Sequence, residues 1–312
     1  MTARAFWTVA AGQGELRAAA LSGEGLELRM LATGISRGTE ALVFAGRVPE
    51  SQYAAMRAPL MEGAFPFPVK YGYSAVGLAA DGRRMFALAP HQDRIRVPSH
   101  LAVPVPDAVP TRRAVLGANM ETALNIAWDA CALPGERIMV IGAGVVGLLA
   151  ASLLARLPGA VVTLVDLDPA RAAFAARFGC AFATPDTAPA EQELIVHATG
   201  RAEGLRLALR CAAFEARIVE ASWFGTDAVT LPLGEAFHAR RLSILSTQVG
   251  AVAGPMRGRR THAERLSLAL SLLADDRYDA LLDGPTRFED LPARMPAILG
   301  APGPLCHVVT YE

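Results

Sequence analysis

Three sets of residues have the types and spacing to do chemistry. The first is Gly142-Ala143-Gly144-Val145-Val146-Gly147, which follows the apolar run 138–141 and opens another. Read as strand, tight turn and helix, this spacing puts one glycine where the chain turns sharply. A second stands where backbone must approach a phosphate, and a third where the helix lies against its strand. The helix expected over Val145–Leu157 then points its unpaired N–H groups and the positive end of its dipole at an anion. The second is Asp166, closing the run Val161–Val165, where a carboxylate would accept both ribose hydroxyls of a dinucleotide. A carboxylate there repels an additional phosphate and no basic residue follows directly, which predicts NAD over NADP; Arg171, five positions on, would relax the preference. The third is Lys70, the only lysine among thirty Lys and Arg residues. Lysine can release its proton at working pH and arginine cannot. Lys70 is therefore either a surface survivor of an arginine-rich composition or a group with a chemical role.

The elements that must position these residues follow from periodicity. Over residues 1–115, short alternating runs are punctuated by Gly and Pro, as in a compact β domain. Strands are expected at Ala5–Val9, Leu26–Ala32, Ser74–Ala79, Met85–Ala89, Arg94–Val97 and Val103–Val105, with Val48–Phe65 as a partly helical insertion. Two loops stand between them: Gly34-Ile35-Ser36-Arg37-Gly38-Thr39-Glu40, which enters a short helix, and Pro66 to Ser74, which enters a strand. From 116 to 248 strands alternate with helices, predicting an α/β, doubly wound, six-stranded parallel sheet. Ligands of such sheets lie beyond the carboxyl ends of the strands, which selects Gly142, Asp166, Thr199, Gly200, Ser222 and Gln248. Residues 249–312 are expected to return to the first domain, so that 1–115 and 249–312 form one discontinuous domain around a dinucleotide-binding domain, 116–248. The cluster Arg257, Arg259 and Arg260 reads as a solvated loop rather than a binding site.

Length and charge narrow the classes. A chain of 312 residues has room for two cores, and its formal net charge of zero offers nothing to nucleic acid or an anionic membrane. Residues 138–155 carry no charge and are long enough to be counted as a membrane span. Three glycines crowd the first half, however, and a second strand-like run follows at once, so a buried strand and helix of a parallel sheet is the reading adopted. The N-terminus lacks the long apolar core of a secretion signal, and Cys131, Cys180, Cys211 and Cys306 lack metal-type pairing. Four buried thiols in a reducing cytoplasm are expected.

An N-terminal β domain, a nucleotide domain and a C-terminal return resemble the medium-chain dehydrogenase/reductase (zinc-type alcohol dehydrogenase-like) superfamily across nearly the whole chain. Gly34 to Glu40 and Asn119-Met120-Glu121-Thr122-Ala123 are similar to the branch containing 2-desacetyl-2-hydroxyethyl bacteriochlorophyllide dehydrogenase. The resemblance implies a Rossmann sheet plus a discontinuous GroES-like β-rich catalytic domain, and a homodimer through the edge strand near Leu242–Thr247. It also exposes departures. Ser36 stands where zinc-dependent members carry a ligand cysteine, and Gly72-Tyr73-Ser74 stands where they carry Gly-His-Glu. Glu121 lies near a further ligand position, but one carboxylate without nitrogen or thiolate partners does not hold zinc. The four-cysteine structural lobe is missing, so the resemblance implies a member without catalytic or structural zinc.

Without a Lewis acid, hydrogen-bond donors must stabilise the oxygen at which hydride leaves or arrives. Tyr73 fits that place, with Ser36, Ser74 and Thr39 as its relay and Lys70 lowering the phenol's pKa; alternatively Tyr73 only fills the space that zinc vacated. Arg37 matches a position that meets the cofactor pyrophosphate in the family. Glu40 reads as a first-turn helix acid or a substrate contact, and His91, His197, His238 and His307 show no partner pattern. The reading is a zinc-independent NAD(P)-dependent oxidoreductase interconverting a secondary alcohol and a ketone on a small-molecule, possibly bulky and ring-bearing substrate. An NADPH-dependent enone or quinone reductase and a non-catalytic nucleotide-binding sensor or assembly subunit remain as alternatives.

Overall fold

The computed structural model describes residues 3–21, 23–300 and 305–311. The chain divides into two compact units, Met1–Ala118 with Leu266–Glu312, and Asn119–Arg265. The stretch 249–265, expected with the first unit, belongs to the second. Its physical tie there is Arg265, whose guanidinium donates to Glu121, Asn125 and the carbonyls of Val249 and Ala251.

The first unit opens with a hairpin, β1 (Ala3–Ala10) and β2 (Gln13–Ala19), followed by β3 (Leu26–Ser36) and α1 (Arg37–Phe44). Next come β4 (Glu62–Gly63), β5 (Val69–Lys70), β6 (Ala75–Ala79), β7 (Arg84–Ala87), β8 (Arg94–Val97), β9 (Ala102–Pro104) and the short α2 (Thr111–Ala114). The expected insertion over Val48–Phe65 holds only a single 3-10 turn, Glu50–Gln52, and the two-residue β4. Helix α3 (Gly117–Ala130) spans the boundary between the units.

In the second unit β10 (Arg137–Ile141), α4 (Val145–Leu154), β11 (Val161–Val165), α5 (Ala172–Arg177), β12 (Ala181–Ala183) and β13 (Gln192–His197) follow in turn. They are followed by α6 (Ala202–Cys211), β14 (Ala212–Glu220) and β15 (Ser243–Ser246). Helix α7 (His262–Leu272) leads back to the first unit, which closes with β16 (Leu282–Arg287), α8 (Leu291–Gly300) and β17 (Cys306–Thr310).

The second unit bears out the doubly wound reading. Its six strands pair in parallel in the order β12-β11-β10-β13-β14-β15. Ile138, Val140, Leu164, Leu194 and Val196 are fully enclosed, as a sheet covered on both faces requires. Residues 138–155 are therefore a strand and a ten-residue helix, and among the described residues no helix is long and apolar enough to cross a membrane.

In the first unit β3 is the hub of a seven-stranded sheet ordered β16-β17-β3-β6-β7-β9, with β8 also paired to β3. Alternate burial of Leu28, Met30 and Ala32 gives β3 its core face, and the near-continuous burial from Thr33 to Ser36 carries the strand into α1. The strands β2 and β12 fall where no strand was expected. One is largely polar and the other only three residues long, so neither carries the apolar signal that the reading relied on.

Candidate functional site

The second unit builds a phosphate cradle from local geometry. Gly142 adopts φ 106°, a left-handed value that a side chain resists, and its N–H donates to the Val165 carbonyl at 2.8 Å. Gly144 is the exposed N-cap of α4, and a Cβ placed there would meet nothing within 4 Å. At Gly147 a Cβ would lie 1.9 Å from the Gly142 carbonyl oxygen, so only glycine lets α4 lie against its turn. Val145 and Val146, half-buried, form the first turn, whose N–H groups have no intrahelical acceptor. These features fit the diphosphate of a dinucleotide, with open space at Gly144 and unpaired donors beside it.

Asp166 does more than its place at a strand end implied. Its carboxylate accepts the Ala143 N–H at 2.7 Å and the Asp168 N–H at 2.9 Å, tying the glycine turn to the end of β11. A carboxylate has about four acceptor positions, so ribose hydroxyls can still bind. Arg171 is drawn to Asp168 at 3.4 Å and lies over the Phe174 ring.

The ends of β13 and β14 bring Thr199, Gly200 and Ser222 together, as expected, around a His197–Glu220 pair that the sequence reading missed. His197, fully buried, has Nδ1 at 2.7 Å from Glu220 Oε2 and Nε2 at 2.6 Å from Thr199 Oγ1. The carboxylate can only accept, so Nδ1 carries a proton. Glu220 Oε1 takes the Ser222 N–H at 2.7 Å, and Ser222 Oγ accepts the Gly200 N–H at 3.0 Å. His197 and its carboxylate partner Glu220 thus fix Thr199, Gly200 and Ser222 together. Gln248, by contrast, caps its own turn through the Gly250 N–H.

In the first unit the expected loop Gly34–Glu40 is instead the end of β3 running straight into α1, and it places Ser36 and Thr39 beside Tyr73 of the loop before β6. The Tyr73 hydroxyl lies close enough to the Ser36 and Thr39 hydroxyls for both to act on it, and burial, seconded by the Glu40 charge, pushes its phenol up to about 12. It is therefore a neutral donor at any ordinary pH. Two expected relay members are elsewhere. The Ser74 hydroxyl donates to the Val115 carbonyl, a structural tie within the first unit. Lys70 is 1% exposed and donates to Glu62 at 2.5 Å and Gln92 at 2.7 Å, so it is neither a surface lysine nor a partner of Tyr73. Desolvation lowers its own pKa, against the pull of Glu62. The two-residue strand β5 explains the miss: Lys70 faces the partners of its own strand, not the loop that follows.

Arg37 donates to the Leu299 carbonyl at 3.2 Å. Glu40 is 3% exposed and accepts from the Ser36 N–H and from His91, so it is more than a first-turn acid. His91 and His307, like His197, have carboxylate partners, Glu40 and Asp283. Spacing could not reveal pairs that lie 51 and 24 residues apart in sequence. Glu121 is bound by Arg265 at 3.0 Å and, through burial first, has its carboxyl raised. Among the described residues no three His, Cys, Asp or Glu side chains converge on a possible metal position. All four cysteines are free, and Cys131 is exposed rather than buried as expected.

Residues 125–208 match the family described as alanine dehydrogenase/PNT, C-terminal domain. A zinc-type alcohol dehydrogenase-like protein of Haemophilus influenzae is 28% identical over 216 residues, covering 65% of this chain and 59% of that protein. The match thus spans about three fifths of the relative's length. A zinc-binding dehydrogenase of Sinorhizobium meliloti solved with NADP superimposes with a TM-score of 0.79 at 16% identity, over 99% of both chains. An Escherichia coli alcohol dehydrogenase solved with NADH gives 0.79 at 15% identity, again over 99% of both. These likenesses bear out the resemblance to zinc-type alcohol dehydrogenase-like proteins, and the chain has the fold of the two solved dehydrogenases.

Proposed function

We propose that the chain is an NAD(P)-dependent oxidoreductase that interconverts a secondary alcohol and a ketone, with the Tyr73 hydroxyl serving the substrate oxygen in place of zinc. The observation that carries this reading is that hydroxyl, kept neutral by burial beside Ser36 and Thr39. Gly142, Ala143, Gly144, Val145, Val146 and Gly147 would hold the cofactor's diphosphate and Asp166 its ribose, with Thr199, Gly200, Ser222 and Arg37 as further contacts. The nicotinamide, when bound, supplies or takes the hydride. In the reducing direction Tyr73 donates to the ketone oxygen and its proton passes there as hydride arrives, to be replaced from water by way of the Ser36 and Thr39 hydroxyls, and oxidation runs the same path in reverse.

Zinc independence is part of the proposal and rests on donor chemistry. Ser36, Tyr73 and Ser74 offer hydroxyls in place of thiolate, imidazole and carboxylate, and Glu121 is taken by Arg265. Asp166, with Arg171 turned to Asp168, supports NAD; the NADP and NADH in two structural neighbours support a nicotinamide cofactor of either kind. The branch resemblance supports a bulky, ring-bearing substrate. The free edge of β15, with Leu245 43% exposed, supports a homodimer formed by strand pairing. Four cysteines without a disulfide accord with a reducing cytoplasm.

The test is a screen of secondary alcohols, ketones and enones with both cofactors, in wild type and Tyr73→Phe, with metal analysis of the purified chain. Alcohol–ketone turnover that falls about 10²-fold or more in Tyr73→Phe is expected. Full activity in that variant, or stoichiometric zinc needed for turnover, would overturn the reading.

A further inference from the structure

Lys70, which the proposed reaction leaves unused, faces a cavity of about 120 Å³ in the first unit, lined also by Leu60, Met61, Glu62, Gln92, Ile95 and Arg96. Its floor is polar and sealed, since Lys70 and Gln92 are each 1% exposed. Its rim is charged and open to water, with the side chains of Glu62 and Arg96 47% and 43% exposed. Met61 and Ile95 are buried and, with Leu60, give it apolar walls. The strand register sets this arrangement. Glu62 and Lys70 stand opposite one another in the β4–β5 pair, so their side chains leave on one face, and the bridge between Ala5 and Gln92 brings the amide to the same sheet.

The polar partners leave one position open. The Arg94 carbonyl can only accept, and it takes the Gln92 amide nitrogen at 2.6 Å, so Gln92 turns its oxygen to Lys70 at 2.7 Å. Glu62 takes a second N–H of Lys70 at 2.5 Å. An ammonium carries three N–H donors, and among the described residues these two groups are its acceptors. A buried donor left unmatched is costly, so the third calls for an acceptor from within the cavity. Charge points the same way. Lys70 and Arg96 face a single carboxylate, Glu62, because Glu27 holds Arg94 and lies 3.8 Å from Arg96. A water takes about 30 Å³ of liquid, so the space suits a molecule of roughly four to six heavy atoms.

We propose that this cavity binds a small aliphatic monocarboxylate of roughly two to four carbons, whose carboxylate takes the third N–H of Lys70 and whose tail lies against Leu60, Met61 and Ile95. Arg96 draws the anion in from the rim, and the charge of Glu62 opposes it. An inorganic anion would satisfy the same donor but leave the apolar walls against water, which is why the ligand carries a hydrocarbon tail. The site needs no part of Tyr73 and stands or falls independently of the reaction.

The experiment uses the full chain grown with lysine enriched in heavy carbon at Cε, in which Lys70 supplies the one lysine resonance. Propionate is titrated in at fixed ionic strength and followed by NMR, with acetate, formate, chloride and phosphate as parallel arms. A shift of the Lys70 resonance that saturates in the millimolar range of propionate is expected, with binding about fourfold weaker for each carbon removed down to formate. Affinity should fall about fivefold or more in Arg96→Gln and rise by a similar factor in Glu62→Gln. No shift with propionate, or one that grows in proportion without saturating, overturns the proposal. So does chloride or phosphate binding as tightly as propionate, which would make the space a general anion hole. Equal affinity in wild type and Arg96→Gln also overturns it, and this exposed-rim variant decides if Glu62→Gln does not fold.

Discussion

Gly144 and Gly147 are three positions apart, yet an added methyl should act on different properties of the protein. At Gly147 the Cβ would stand 1.9 Å from the Gly142 carbonyl oxygen. An ordinary carbon–oxygen contact is about 3.3 Å, so α4 and its turn must part by roughly 1.4 Å. Overpacking of this kind costs about 1–3 kcal/mol, and for a unit of this size each kcal/mol lowers the Tm by roughly 2–4 °C. At Gly144 the Cβ would meet nothing in the free chain, and the change from Gly to Ala at an N-cap costs under about 1 kcal/mol. Dinucleotide affinity should nevertheless fall at least about tenfold, near 1.4 kcal/mol, because the methyl occupies the space a diphosphate needs. Calorimetric titration with NADH and NADPH beside thermal melts separates the two effects. Gly144→Ala binding as tightly as wild type would refute the placement of the diphosphate, and Gly147→Ala melting as wild type would refute the close helix–strand contact.

Other perturbations test the rest of the argument. Arg265→Met strips Glu121 of its partner in a buried setting, and chemical denaturation should show a loss of about 3–5 kcal/mol, much of it recovered in the double variant with Glu121→Leu. Lys70→Met should leave turnover intact and cost about 1–3 kcal/mol, because buried Gln92 loses its donor while the abandoned Glu62 is half-exposed to water; a lost activity would restore Lys70 to the chemistry. The hydrogen bond from Arg113 holds the Asp279 carboxyl below its usual range. Its stabilisation is therefore present above the unfolded value, about 3.9, and is lost as pH falls through the lower folded one. Urea midpoints from pH 5 to 3 should decline less steeply in Asp279→Asn than in wild type.

The parts legible in the sequence were those in which cause and effect lie close along the chain. Three glycines in six residues, an apolar strand on each side and an acid at the end of the second fix a turn whose geometry is local, and Gly142, Gly147 and Asp166 stand as that pattern requires. Tyr73 and Ser36 were found through resemblance rather than spacing. What stayed hidden was the partner of each buried charge. Glu40 with His91, His197 with Glu220, and Arg113 with Asp279 join residues 51, 23 and 166 positions apart, and side-chain type alone does not name a partner over such separations. Lys70 shows the limit from the other side. Its rarity was plain, but which way a side chain leaves a two-residue strand depends on pairing with Glu62 and Gly63, which periodicity cannot reveal.

The place of β17 has a consequence for how the molecule is made. It lies between β16 and β3, bonded to β3 in antiparallel register from Cys306↔Ser36 to Thr310↔Ala32. A ribosome therefore delivers β3 some 270 residues before the strand that covers its flank, while all of Asn119–Arg265 emerges in between as one uninterrupted stretch. That inner stretch can fold during synthesis, whereas the outer unit waits with an open hydrogen-bonding edge, the kind of surface that recruits stray strands. Nascent chains stalled before residue 306 should thus display a protease-resistant inner core flanked by a cleavable, chaperone-seeking N-terminal segment.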